Sequence, residues 1–198
     1  MRFTEQHEVE RPGDADWFDL NVEMDSPLYV DPFLLFDDPD PFWSAGHDEI
    51  IDFFDAALDL LKKADGQRES MHWKKAERFL QFPEPKEFAL GLSMGHPVGA
   101  GIGPDLAREM CEELEFFRER GRGSDDRLLG MMAVIVNGLG VDRISDMVCN
   151  ILKQRFLTYT QQVCEALGIP MQSLSDYVNS KWPHGDGLIW PRPVVVRA

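Results

Sequence analysis

Asp142, Asp146 and Asn150 stand four residues apart in the run Asp142-Arg143-Ile144-Ser145-Asp146-Met147-Val148-Cys149-Asn150. On a continuous helix this spacing puts all three side chains on one polar stripe. Two carboxylates and an amide so placed can hold a hard divalent cation, with water completing its shell. Glu84 and Glu87, on a proline-flanked segment, are the carboxylates that would face them. Together they would make a phosphodiester-cleaving site of the two-metal kind, with Glu84, Glu87, Asp142 and Asp146 catalytic, His96 assisting, and the metal on Asp142, Asp146 and Asn150. A plainer account is favoured. Asp142 and Asp146 then cap a helix and complement its dipole, while Asn150 faces water. Ser145 is an alternative cap, which would leave Asp142 in the preceding loop.

The second stretch is Gly91-Leu92-Ser93-Met94-Gly95-His96-Pro97-Val98-Gly99-Ala100-Gly101-Ile102-Gly103. It runs into Pro104, a residue suited to the first helical position. Glycines before a helix N-terminus can cradle an anion, which makes Gly99, Gly101 and Gly103 candidates for binding a phosphate-bearing cofactor. The spacing is neither the dinucleotide fingerprint nor a Walker loop. A connector that turns the chain sharply between two helices is the stronger reading. His96 is the only one of the five histidines in this loop, and the five show no metal-ligand spacing. Thr158, Tyr159 and Thr160 offer hydroxyls that more often bond a neighbouring element than a substrate. Cys111, Cys149 and Cys164 lack CxxC spacing and read as small buried hydrophobes, so neither a disulfide framework nor a zinc site is expected.

These residues need elements to hold them. Ile50, Phe53, Phe54, Ala57, Leu58, Leu60 and Leu61 recur at three- and four-residue spacing and predict a helix from His47 to Ala64. Asp48, Glu49, Asp52, Asp55 and Asp59 line its other side. A second helix is predicted over Met71–Leu80, and a helical turn is possible over Lys86–Leu90. A third runs from Pro104 to about Arg120, ended by Gly121 and Gly123. A nearly all-apolar helix follows from Ser124 to Val136. The longest is expected from Arg143 to about Leu167, stopped by Gly168 and Pro170. Asp37-Asp38-Pro39-Asp40-Pro41 reads as a loop, because proline bars helix from the residue before it. The stretch from Pro27 to Phe36 reads as a short extended segment and a turn packed on the core.

The chain is therefore expected to be mostly α: a single globular multi-helix domain over 27–170, with an irregular acidic arm over 1–26 and a short extended tail over 171–198. Trp17, Phe18 and Leu20 are the residues to dock the arm. The 198 residues carry 35 acidic and 20 basic side chains. Residues 1–65 hold 18 acidic against 4 basic, whereas residues 66–198 hold 17 against 16. That acidic front disfavours direct nucleic-acid binding and anionic membrane surfaces, and it attracts a basic partner or a metal ion. No apolar run is long enough for a membrane span, and no signal peptide is visible. A cytoplasmic location is expected.

Gly140-Val141-Asp142-Arg143-Ile144-Ser145-Asp146, Tyr159-Thr160-Gln161 and Gly168-Ile169-Pro170 resemble segments of a group of larger uncharacterised bacterial proteins. Tyr29-Val30-Asp31-Pro32-Phe33-Leu34-Leu35 resembles their start, and Glu84–Gly103 their middle. The resemblance covers 27–170 and implies a link to mobile or defence-related gene neighbourhoods. It carries no assigned activity onto any residue. The closing Val194-Val195-Val196 reads as the start of a strand, expected either to pair at an edge or to mark a shortened form of a longer protein.

Two functions follow. The leading one is a non-enzymatic helical subunit or regulator that works through protein–protein contacts or self-association. The alternative is a metal-dependent nuclease or phosphodiesterase, whose only implied cofactor is a divalent metal.

Overall fold

A computed structural model of the chain describes residues 1–36, 38–85, 88, 90–91, 101–121 and 136–171. Among them the protein is mostly α, as the periodicity predicts. The elements are α1 (Phe3–His7), a 3-10 turn (Pro32–Leu35), α2 (Pro41–Ala64), α3 (Met71–Phe79), α4 (Pro104–Glu119), α5 (Val141–Ile151) and α6 (Lys153–Ala166). Extended pairing includes the isolated bridges Arg2–Asn21, Ser26–Leu90 and Phe82–Ile102. No helix among them is long and apolar enough to cross a membrane.

The described residues fall into two compact units. The first takes in residues 29–84 and the described part of 99–152. Its centre is α2, which packs against α3, α4, α5 and the 3-10 turn. Trp43, Ile50, Phe54, Ala57 and Leu61 face inward from α2, Trp73 and Ala76 from α3, Met110 and Leu114 from α4, and Met147 and Val148 from α5. Phe53 and Leu60, which share the predicted apolar face, are half-buried at its margin. Phe53 stacks on Phe79 at 4.3 Å between ring centres. Asp48, Glu49, Asp52, Asp55 and Asp59 are all exposed.

The second unit takes in residues 1–28, the described part of 85–98, and 153–171. Here the N-terminal segment, expected to be irregular, carries the short helix α1 and is tied down by hydrogen bonds. Phe3, Trp17 and Leu20 are buried, while Phe18 is exposed. The Thr4 hydroxyl donates to Asp19 at 2.8 Å. The Arg11 guanidinium donates to the carbonyls of Ala15 and Trp17. Phe88 meets Phe156 edge to face.

Two boundaries differ from the sequence-based expectation. α2 starts at Pro41 rather than His47, because the restriction that proline places on its predecessor is also the geometry of an N-cap. Asp40 sits at φ −86°, ψ 116° and its carboxylate accepts the Phe42 N–H; Pro41 then takes the first helical position, where no N–H is needed. The expected helix over 143–167 is two helices. Leu152 leaves helical geometry at φ −90°, ψ 13° and is fully buried. With no glycine or proline at the break, the apolar periodicity runs through it unmarked, and α2 is the longest described helix. The expected helix over 124–136, the turn over 86–90 and the tail over 171–198 fall wholly or largely outside the described residues.

Candidate functional site

The stretch at 29–36 follows the geometry of a 3-10 turn. At three residues per turn, positions three apart share a face. Pro32 and Leu35 take one face and are buried. Phe33 and Phe36 take another and are exposed, and Leu34 lies between them, 74% exposed. Instead of packing whole on the core, the segment buries Pro32 and Leu35, half-buries Val30 and leaves the others exposed. Tyr29 adds a further exposed ring. Contiguous exposed apolar side chains of this kind often mark a functional surface.

Local bonds fix that edge in place. The Asp31 carboxylate accepts the Phe33 N–H at 2.9 Å and caps the turn. Val30 donates its N–H to the Ser145 hydroxyl at 2.9 Å, across 115 residues of sequence. The ring of Phe36 lies 4.3 Å from that of His47 on α2. Ser145 therefore sits inside α5 as an acceptor, and the helix is capped instead by Gly140. That places Asp142 in the first turn rather than in the preceding loop.

The sequence-derived metal and catalytic residues are distributed as follows. Asp142 is exposed, whereas Asp146, one turn on, is only 6% exposed. Asn150 is half-buried rather than fully in water, and its amide donates to the Pro83 and Asp146 carbonyls, both at 2.8 Å. This bond brings the segment carrying Glu84 to the C-terminal half of α5. Glu84 is half-buried there. Asp142 lies eight residues before Asn150, about 12 Å away along the axis. Among the described residues, no group of three or more His, Cys, Asp or Glu is placed to hold a metal ion. Glu87 and His96 lie outside the described residues.

Of the candidate glycines, Gly99 also lies outside. Gly101 has φ +54°, and a Cβ there would fall on the Phe82 carbonyl oxygen and within 2.9 Å of the Glu84 nitrogen. It lets the chain run against Phe82, which exchanges two backbone hydrogen bonds with Ile102, at 3.0 and 2.8 Å. A side chain cannot be accommodated, so glycine is required for close packing. Gly103 is the N-cap of α4 and stands in open space.

Of the α6 hydroxyls, that of Tyr159 bonds another segment, as expected, whereas those of Thr158 and Thr160 bond their own helix. The Tyr159 O–H donates to Asp16 at 2.6 Å, and the Thr158 and Thr160 hydroxyls donate to carbonyls one turn back. All three cysteines are free and buried. Burial, with Glu77 and Glu112 nearby, pushes the Cys111 thiol up to about 12. Burial and Glu165 push Cys164 to about 11. Such thiols stay protonated and unreactive. The exposure of Phe33, Leu34 and Phe36 was missed in the sequence; only the three-residue period of a proline-led turn signals it.

A family model described as a domain of unknown function, DUF8370, matches residues 8–187. No curated protein and no solved structure matches the chain.

Proposed function

The chain belongs to the DUF8370 family, and on that premise we propose that it is a non-enzymatic helical protein acting through protein–protein contacts, as a subunit or regulator of a larger assembly. One observation carries this reading. Phe33, Leu34 and Phe36 are held in solvent by a capped, bonded turn instead of being folded into the core beneath it. A rigid apolar edge favours binding, because little side-chain and loop entropy remains to be lost when a partner covers it. The resemblance of 27–170 to larger bacterial proteins extends the proposal to a bacterial assembly of the defence-related kind. Such a role places the protein in the cytoplasm.

The test is a pull-down from host lysate with intact-mass readout, using the wild-type chain and a Phe33→Ser/Leu34→Ser variant. A defined partner captured by the wild type and lost by the variant is the expected result. A monomer that captures nothing, or the same proteins retained by both forms, would contradict the reading.

A further inference from the structure

We propose that the peptide Asn137–Gly138 is a modification site, at which the asparagine closes to a succinimide and reopens as aspartate or isoaspartate. The chain turns back on itself over 136–139, where the Leu139 N–H donates to the Val136 carbonyl at 3.1 Å. Gly138, the third residue of this turn, has φ +88°, a conformation that glycine adopts without strain. Asn137 and Gly138 are both exposed, between the buried Val136 and Leu139. Two groups would react here, and neither is held. Among the described residues, neither the Asn137 side-chain amide nor the Gly138 N–H has a hydrogen-bond partner. The Arg143 guanidinium donates to the Gly138 carbonyl at 2.7 Å, which sets a cation close to the nitrogen that must become anionic. Asn150 is the contrast, with its amide committed to two carbonyls.

Hydroxide removes the Gly138 N–H proton, the nitrogen attacks Asn137 Cγ, and ammonia leaves as the five-membered ring closes. Water then opens the ring at either carbonyl. Opening at the former side-chain carbonyl leaves an aspartate. Opening at the main-chain carbonyl sends the backbone through Cγ, as isoaspartate. The net exchange is amide and water for acid and ammonia. Both products add a negative charge near Glu109, whose carboxylate already accepts the Asn137 N–H at 2.9 Å. Isoaspartate also adds a methylene to the backbone inside the 136–139 turn, just ahead of the Gly140 cap of α5.

The test is ageing of the full-length folded protein at mildly alkaline pH, followed by mass spectrometry of the tryptic peptide 128–143, in which Asn137 is the only side-chain amide. A synthetic peptide of that sequence, aged alongside, gives the rate without the fold. The peptide from the protein should show the amide-to-acid mass gain at a rate within about tenfold of the synthetic one, a barrier difference of about 1.4 kcal/mol at most. It should also accept methyl groups from an isoaspartyl methyltransferase, while the peptide holding Asn150 stays unchanged. Asn137→Gln, which leaves Gly138 in its turn, should abolish methylation of this peptide. An Asn137 that stays intact while the synthetic peptide converts would overturn the proposal, because the turn would then keep the reacting groups apart. Conversion of Asn150 at the same rate would overturn it too, since free reacting groups would not then select the site.

Discussion

At the scale of single residues, the chemistry read from the sequence resolves mostly into positioning. Asn150 spends its amide on two carbonyls, so Asn150→Ala should lower stability by about 1–2 kcal/mol in denaturant unfolding. Gly101→Ala should cost about 3 kcal/mol or more, since a left-handed backbone and a collision with Phe82 act together. A loss below about 1 kcal/mol would show that the Phe82–Ile102 pairing is not as close as described. His7 gives a pH test. Burial holds its imidazole pKa below the usual value, so the unfolded chain binds the proton more tightly. Its contribution is complete above the unfolded pKa of about 6.5 and is lost as the pH falls from there through the lower folded value. His7→Gln should flatten the stability profile just below about pH 6.5. An unchanged slope would mean that His7 is as solvated folded as unfolded.

At the scale of elements, the 3-10 turn sets a sharp contrast between neighbouring residues. Leu35 is buried and Leu34 is not, although sequence composition treats them alike. Leu35→Ala should destabilise by about 2–3 kcal/mol, whereas Leu34→Ser should leave the melting temperature nearly unchanged. Equal losses would place both side chains in the core. The same contrast shows what the sequence made legible. Long helices announced themselves through apolar spacing at Ile50, Phe54, Leu58 and Leu61, and Pro104 takes the first helical position that its type suggested. The start of α2 was hidden because proline signals both a loop and a first helical turn. The break at Leu152 was hidden because nothing in its side chain forbids continuing the helix. Contacts such as Val30 to Ser145 span more than a hundred residues, and no local pattern encodes them. The ladder Asp142, Asp146 and Asn150 falls within one helix, the arrangement that its spacing allowed, yet burial divides its members, with Asp142 in solvent and Asp146 inside.

At the scale of the whole molecule, charge is the dominant property, and most of the net −15 lies in the first third of the chain. Association with a basic partner should therefore be fast at low salt and slow steeply as ionic strength rises, with dissociation changing much less. Stopped-flow binding at several salt concentrations checks this, and a salt-independent association rate would remove electrostatic steering from the account. Throughout, the central claim is that the turn at 29–36 is rigid, apolar and outward-facing in order to be covered. The most direct test compares partner capture from lysate by the wild type and by Phe33→Ser/Leu34→Ser, with both proteins first shown to melt at the same temperature. The account predicts a partner bound stoichiometrically to the wild type and absent from the variant. Equal capture by two equally stable proteins would contradict it.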